Sequence, residues 1–201
     1  MTRRPPLPTP PALPAARIEL CLDYVNTRFW RGSDAPEETL AAPQDLLAWI
    51  GETARVPAAV LAAAPDAAAL LPPAIGLRET IHRLFDALAA DLQVAEADLA
   101  ALNAALAAAP SRASLVPDGA GFGWALRMDE VTLPVLLAPV LWSAGDLLAS
   151  AAQHRIRRCA NEKCRWLFLD RSKAGTRRWC DMAACGNRAK AQRHYARSKG
   201  G

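Results

Sequence analysis

The chain has 201 residues, 52% of them apolar, which is enough for one sizeable core and a small second module. Its formal net charge of +4 conceals a division: residues 1–150 hold ten Lys/Arg against seventeen Asp/Glu, a net of −7, and residues 151–201 hold fourteen against three, a net of +11. The longest uncharged apolar run, Val131 to Gly145, is too short for a bilayer and is interrupted by Pro134 and Pro139, which argues against a membrane span.

In chain order, MTRRPPLPTPPALP places six prolines in fourteen residues without a continuous apolar stretch. It predicts a disordered, Pro-rich tail over 1–16 rather than a signal peptide, and with it a cytoplasmic protein. IELCLDYVNTRF then carries Leu20, Cys21, Tyr24, Val25 and Phe29 at helical spacing. PQDLLAWIGETARV begins with proline at a first helical position and turns Leu46, Leu47 and Ile50 inward. A longer helix is predicted from Pro73 to Asp91, with Ile81, Leu84, Phe85 and Leu88 as its buried stripe, and another from Glu96 to Ala109. Pro117-Asp118-Gly119-Ala120-Gly121 reads as the turn of a hairpin. From Val131 to about Gln153 one long apolar helix is predicted to lead into the basic segment.

The basic segment contains Cys159, Cys164, Cys180 and Cys185 in the spacing C-x4-C-x15-C-x4-C. Two local pairs brought together by a long spacer suit a tetrahedral structural zinc, one Zn2+ for four thiolates. Two disulfides would need an oxidising compartment, and a redox switch would leave the fourfold arrangement unexplained. Arg157 and Arg158 with RWLFLD read as a hairpin presenting the first pair at its turn, and GNRAKAQRHYARSK as a helix after the second. The expected fold is therefore mostly α: a helical domain over 17–153 with a short β-hairpin, then a treble-clef-like zinc finger, hairpin plus helix, over 154–199.

The run CANEKCRWLFLDRSKAGTRRWCDMAACGNRAKAQRHYAR resembles the CGNR zinc finger, whose naming motif stands at Cys185-Gly186-Asn187-Arg188. Upstream, LCLDYVNTR, DLLAWI, LRETIHRLF and LLAPVLWSAGDLL resemble the ABATE domain that precedes this finger in bacterial proteins. The resemblance implies a stress-induced transcription regulator whose finger contacts DNA. On that reading Arg171, Lys173, Arg177 and Arg178, before the second cysteine pair, and Arg188, Lys190, Arg193 and Arg197, along the last helix, are the expected phosphate contacts. RNA and a protein-interaction adaptor are the alternatives. The N-terminal domain is expected to take a small-molecule effector or to form a homodimer, and the acidic and basic halves to dock on one another.

Other polar residues have plainer expectations. Asn187 reads as a helix cap ahead of a reader of a base edge, Trp166 and Trp179 as the core of the finger ahead of stacking platforms for unpaired bases, and Gly186 as relief of backbone crowding beside the metal. Glu79, His82 and Asp86 share one helix face, read as solvated, and His154 and His194 are not needed as ligands. Asp23 and Asn26 read as caps or hydrogen-bonding cross-links of the packed helices ahead of the lining of a pocket between them, and Cys21 as a small core residue. With no Ser-His-Asp order, phosphate-binding glycine loop or paired catalytic carboxylates, the sequence offers no support for an enzyme.

Overall fold

The structure, a computed structural model, describes residues 10–64, 66–119, 121–191 and 195. Among them the chain is mostly helical with three small antiparallel sheets. Helix α1 (Leu20–Val25) is shorter than its periodicity predicts. The Thr27 hydroxyl donates back to the Tyr24 carbonyl at 2.7 Å, and Trp30 adopts φ +52, so the chain leaves the helix. Arg28–Phe29 form strand β2, antiparallel to β3 (Glu37–Glu38). Phe29 is therefore a strand residue and not the last of a helical stripe.

Helix α2 (Pro43–Glu52) starts at its proline and buries Leu46 and Ile50, with Leu47 only partly covered. After the short α3 (Ala58–Ala62), helix α4 (Ala67–Ala89) begins well before the expected Pro73. Asp66 caps it, accepting from the Ala68 N–H at 3.0 Å, so Pro72 and Pro73 lie inside the helix. The carbonyls they leave without donors, at Ala68 and Ala69, belong to exposed residues that water can serve. Helix α5 (Glu96–Ala108) follows as expected.

The hairpin of β4 (Leu115–Asp118) and β5 (Gly121–Ala125) turns through Gly119 at φ +57. A strand absent from the sequence reading, β1 (Ala12–Leu13), pairs with the other edge of β5. Leu13 is fully buried there, so part of the stretch expected to be a disordered tail is built into the fold. The long helix predicted over 131–153 is three pieces: α6 (Leu133–Leu136), α7 (Ala138–Ala149) and a 3-10 turn at Ala151–Arg155. Pro134 and Pro139 each sit in the first turn of a new helix, where a missing N–H costs least.

Strands β6 (Ile156–Arg158) and β7 (Leu167–Leu169) pair antiparallel, with Arg157 opposite Phe168. Their alternation serves two interiors. Ile156, Leu167 and Leu169 join the main core with Leu20, Tyr24, Ile81 and Phe85, whereas Phe168 points to a second cluster with Cys159, Cys164 and Cys185.

A buried charge network fixes α4 against the β2–β3 hairpin. Arg78, 1% exposed, bonds both Glu38 oxygens at 2.6 Å, Thr27 Oγ1 at 3.0 Å and Glu79 at 3.0 Å, and Glu79 also receives Arg31. The face of Glu79, His82 and Asp86 is thus not a solvated one. Its outer members pair with Arg31 and Arg158, and the His82 Nε2 is buried without a hydrogen-bond partner among the described residues.

Two tests follow from these groups. Replacing Arg78 by Met leaves Glu38 and Glu79 without their buried partner, so denaturant titration should show a loss of about 3 kcal/mol. Burial holds His82 near 4, reinforced by Arg31 and Arg158 against the pull of Asp86 and Glu79. The fold accepts the neutral ring, so its contribution is intact above the unfolded value near 6.5 and is lost as pH falls toward 4. Unfolding free energy should drop by about 2 kcal/mol across that window, and His82→Leu should flatten it.

Candidate metal centre and nucleic-acid interface

The first cysteine pair lies in the connection between β6 and β7. Asn161 shapes this loop: its Oδ1 accepts from the Lys163 N–H at 3.1 Å, its carbonyl accepts from the Cys164 N–H at 2.8 Å, and its Nδ2 donates to Cys185 Sγ at 3.5 Å. One side chain therefore joins the first pair to the second. Arg165 then takes φ +55, and the Cys159 N–H reaches the Trp166 carbonyl at 2.8 Å, closing the knuckle. Of the second pair, Cys180 precedes a π-type turn, Met182–Gly186, and Cys185 lies within it; the turn runs into helical residues 187–191. Asp181 caps this turn through the Ala184 N–H at 2.6 Å. Asn187 stands in helical conformation with an exposed side chain, so the capping role expected of it belongs to Asp181.

The four sulfurs lie within 4.8 Å of one another, with Cys164 to Cys180 at 3.7 Å and Cys180 to Cys185 at 3.8 Å. Zinc binding four thiolates at about 2.3 Å requires sulfur spacings of about 3.8 Å, so the two agree. Hydrogen bonding from Cys164 and Cys180 holds the Cys159 thiol far below its ordinary value, and the same contact pushes Cys164 up to about 12. Four sulfurs this close can all ionise only around a cation, and the set is that of one structural zinc. Cys21, fully buried elsewhere and pushed up to about 12 by burial, is the core residue expected.

Trp166 and Trp179 pack partly buried against this cluster, joined by Trp30 from the N-terminal half. At Gly186 a Cβ would meet the Met182 side chain at 2.7 Å, so the crowding there is with a flexible thioether and not with backbone. Gly32 is the tighter constraint: a Cβ would lie 1.8 Å from the Glu162 carbonyl oxygen, and its N–H donates to the Lys163 carbonyl at 3.2 Å. The first knuckle therefore rests directly on the N-terminal loop. Asn26 adds two bonds to Leu167, donating to its carbonyl at 2.8 Å and accepting from its N–H at 3.1 Å, a cross-link from α1 to strand β7 where one between helices is expected. Arg158 pairs with Asp86 at 3.0 Å and Arg171 with Glu19 at 2.8 Å, so acidic and basic halves are in contact.

The eight cations expected at phosphates occupy different situations. Asp170, fully buried, accepts from the Ser172 and Arg177 amides at 2.8 and 2.9 Å and so folds the basic loop. Arg155 braces the same loop by donating to the Asp170 and Ser172 carbonyls. Arg177 donates to the Trp179 and Cys180 carbonyls and stacks on Phe168 at 4.7 Å, a brace of the metal centre more than a free charge. Arg171 is engaged by Glu19. Arg178 lies over Trp179 at 5.3 Å and Arg188 over Trp30 at 4.6 Å, both exposed, and Lys173 and Lys190 are exposed as well. Arg193, Arg197 and His194 lie outside the described residues.

Sequence reasoning overlooked Asn161, Asp170, Asp181 and Gly32. The first three are short side chains that bond backbone two or three residues on, a pattern readable as turns and caps. Gly32 carried no local signal.

Removing zinc by chelation should unfold the knuckles. Because Ile156, Leu167 and Leu169 belong to the main core, it should also lower the melting temperature of the whole chain in one transition, followed by far-UV circular dichroism. Gly32→Ala should release zinc faster to a chromogenic chelator and lower the melting temperature, with Gly76→Ala, where a Cβ meets nothing within 4 Å, as the benign control.

Among the described residues no helix is long and apolar enough to cross a membrane. Compared with known families, residues 155–198 match the CGNR zinc finger, and residues 19–151 match the ABATE family, described as "Putative stress-induced transcription regulator". No curated protein matches the chain. The ABATE match spans more than half of the residues, and the chain belongs to that family, with a CGNR zinc finger built around Cys159, Cys164, Cys180 and Cys185 at its C-terminal end.

Proposed function

We propose that the protein is a zinc-dependent, DNA-binding transcription regulator of the cytoplasm, in which the finger contacts DNA and the helical domain senses an effector or dimerises. The observation that carries this reading is the concentration of positive charge in the segment that holds the metal centre. Residues 151–201 have a net of +11, and the ordered knuckles leave Lys173, Arg178, Arg188 and Lys190 exposed. Such density on a small rigid module suits a polyanion. The family description supplies the regulatory context.

Arg171 and Arg177 have partners of their own, so the described phosphate contacts reduce to about four. Anisotropy of the zinc-loaded protein with random duplex DNA should then show affinity falling roughly a hundredfold between about 50 and 200 mM salt. Lys173→Gln or Lys190→Gln should each lower the salt slope by about 1, uniformly across sequences. No binding at low salt would overturn the reading and favour the adaptor. A stronger preference for structured RNA would move the target to RNA.

A further inference from the structure

Between the N-terminal half and the finger lies a largely apolar cleft lined by Phe29, Trp30 and Trp166 together with three of the zinc ligands, Cys164, Cys180 and Cys185, so that it borders directly on the metal centre. Phe29 and Trp166 stand with ring centroids 5.1 Å apart. Trp30 reaches this place from a left-handed backbone, φ +52, which a bulky aromatic residue adopts only when its surroundings enforce it. Two residues on, Gly32 is pressed against the Glu162 carbonyl. The Arg188 guanidinium lies over the Trp30 ring at 4.6 Å.

A second, polar cleft of 410 Å³ shares Cys185 with the first and is lined by Asn161, Lys163, Trp179 and Arg188, with Glu162 as its acidic member. Asp181 in the apolar cleft is turned to the Ala184 N–H that it caps.

An aromatic slot beside a cationic one fits a planar ring that carries a phosphate. We propose that the Phe29–Trp30–Trp166 cleft receives an unpaired nucleobase, with its phosphate toward Lys163 and Arg188, so that the finger prefers single-stranded or locally opened nucleic acid to intact duplex. The proposal rests on the nucleic-acid reading and deepens it. A base inside a duplex cannot offer its faces to a side chain, whereas an unpaired base stacks on aromatic rings with little regard to sequence. An apolar peptide side chain would also fill the slot, but the net of +11 in residues 151–201 and Arg188 at the ring favour an anionic ligand.

The test uses the zinc-loaded full chain with a short single-stranded oligonucleotide, the duplex of the same sequence, and free nucleoside monophosphates, all at low salt. Anisotropy should give tighter binding to the single strand, with quenching of tryptophan emission that the duplex does not produce. Trp30→Leu, checked for folding and zinc content, should lose about tenfold in single-strand affinity and clearly less in duplex affinity, where only the support its ring gives Arg188 is lost. Quenching by the free monophosphates that Trp30→Leu abolishes would support the cleft and make a free nucleotide its source.

Equal affinity for strand and duplex without quenching would overturn the cleft and leave duplex binding standing. Unchanged single-strand affinity in a folded Trp30→Leu would do the same. If neither nucleic acid binds, the nucleic-acid reading itself fails and the cleft proposal falls with it. Should Trp30→Leu not fold, the quenching comparison on the unaltered protein decides alone.

Discussion

One two-stranded ribbon, β6 with β7, closes both interiors of this protein. Its pleat sends Ile156, Leu167 and Leu169 into the helical core and Phe168 toward the cysteine cluster, while its connection carries Cys159 and Cys164. Neither side can rearrange without the other. The Asn26 side chain holds the Leu167 peptide through both its donor and its acceptor, fixing the ribbon in depth and in register against α1. A buried amide satisfied at both ends stabilises by geometry as much as by energy, because any shift leaves two polar groups unmet.

From this the character of the finger follows. A free-standing zinc module takes most of its folding energy from the metal, whereas here three of its strand residues are covered by helices and its first knuckle rests on Gly32. The metal centre is therefore coupled to the helical domain through packing. The two interface ion pairs, Arg158 with Asp86 and Arg171 with Glu19, are partly exposed and contribute little by comparison. The charge asymmetry of the sequence does appear as contact between the halves, but apolar burial and close backbone approach set the geometry.

The same coupling sorts the cations. Arginines that look alike in the sequence differ once Asp170 has folded the loop between the cysteine pairs. Arg177 is drawn onto the backbone of the second knuckle and Phe168, whereas Lys173 stays in solvent. Charge density alone therefore overstates how many side chains stand ready for a phosphate. Arg188, over Trp30, stands where the two halves meet.

Much of this was legible in order along the chain. The cysteine spacing determined the metal centre because ligand chemistry is local: each knuckle is a few residues long and needs two thiols. Periodicity determined α2, alanine-rich composition determined α5, and Pro-Asp-Gly determined the β4–β5 turn. What the tertiary structure decided were the places where a distant partner outweighs local propensity. Phe29 leaves its helical stripe to pair with Glu37, Leu13 is drawn from a Pro-rich tail into a sheet, and His82 is enclosed on a face that reads as solvated. Gly32 shows the reason most plainly: the Glu162 carbonyl, 130 positions away, forbids it a side chain, and no window of sequence contains both.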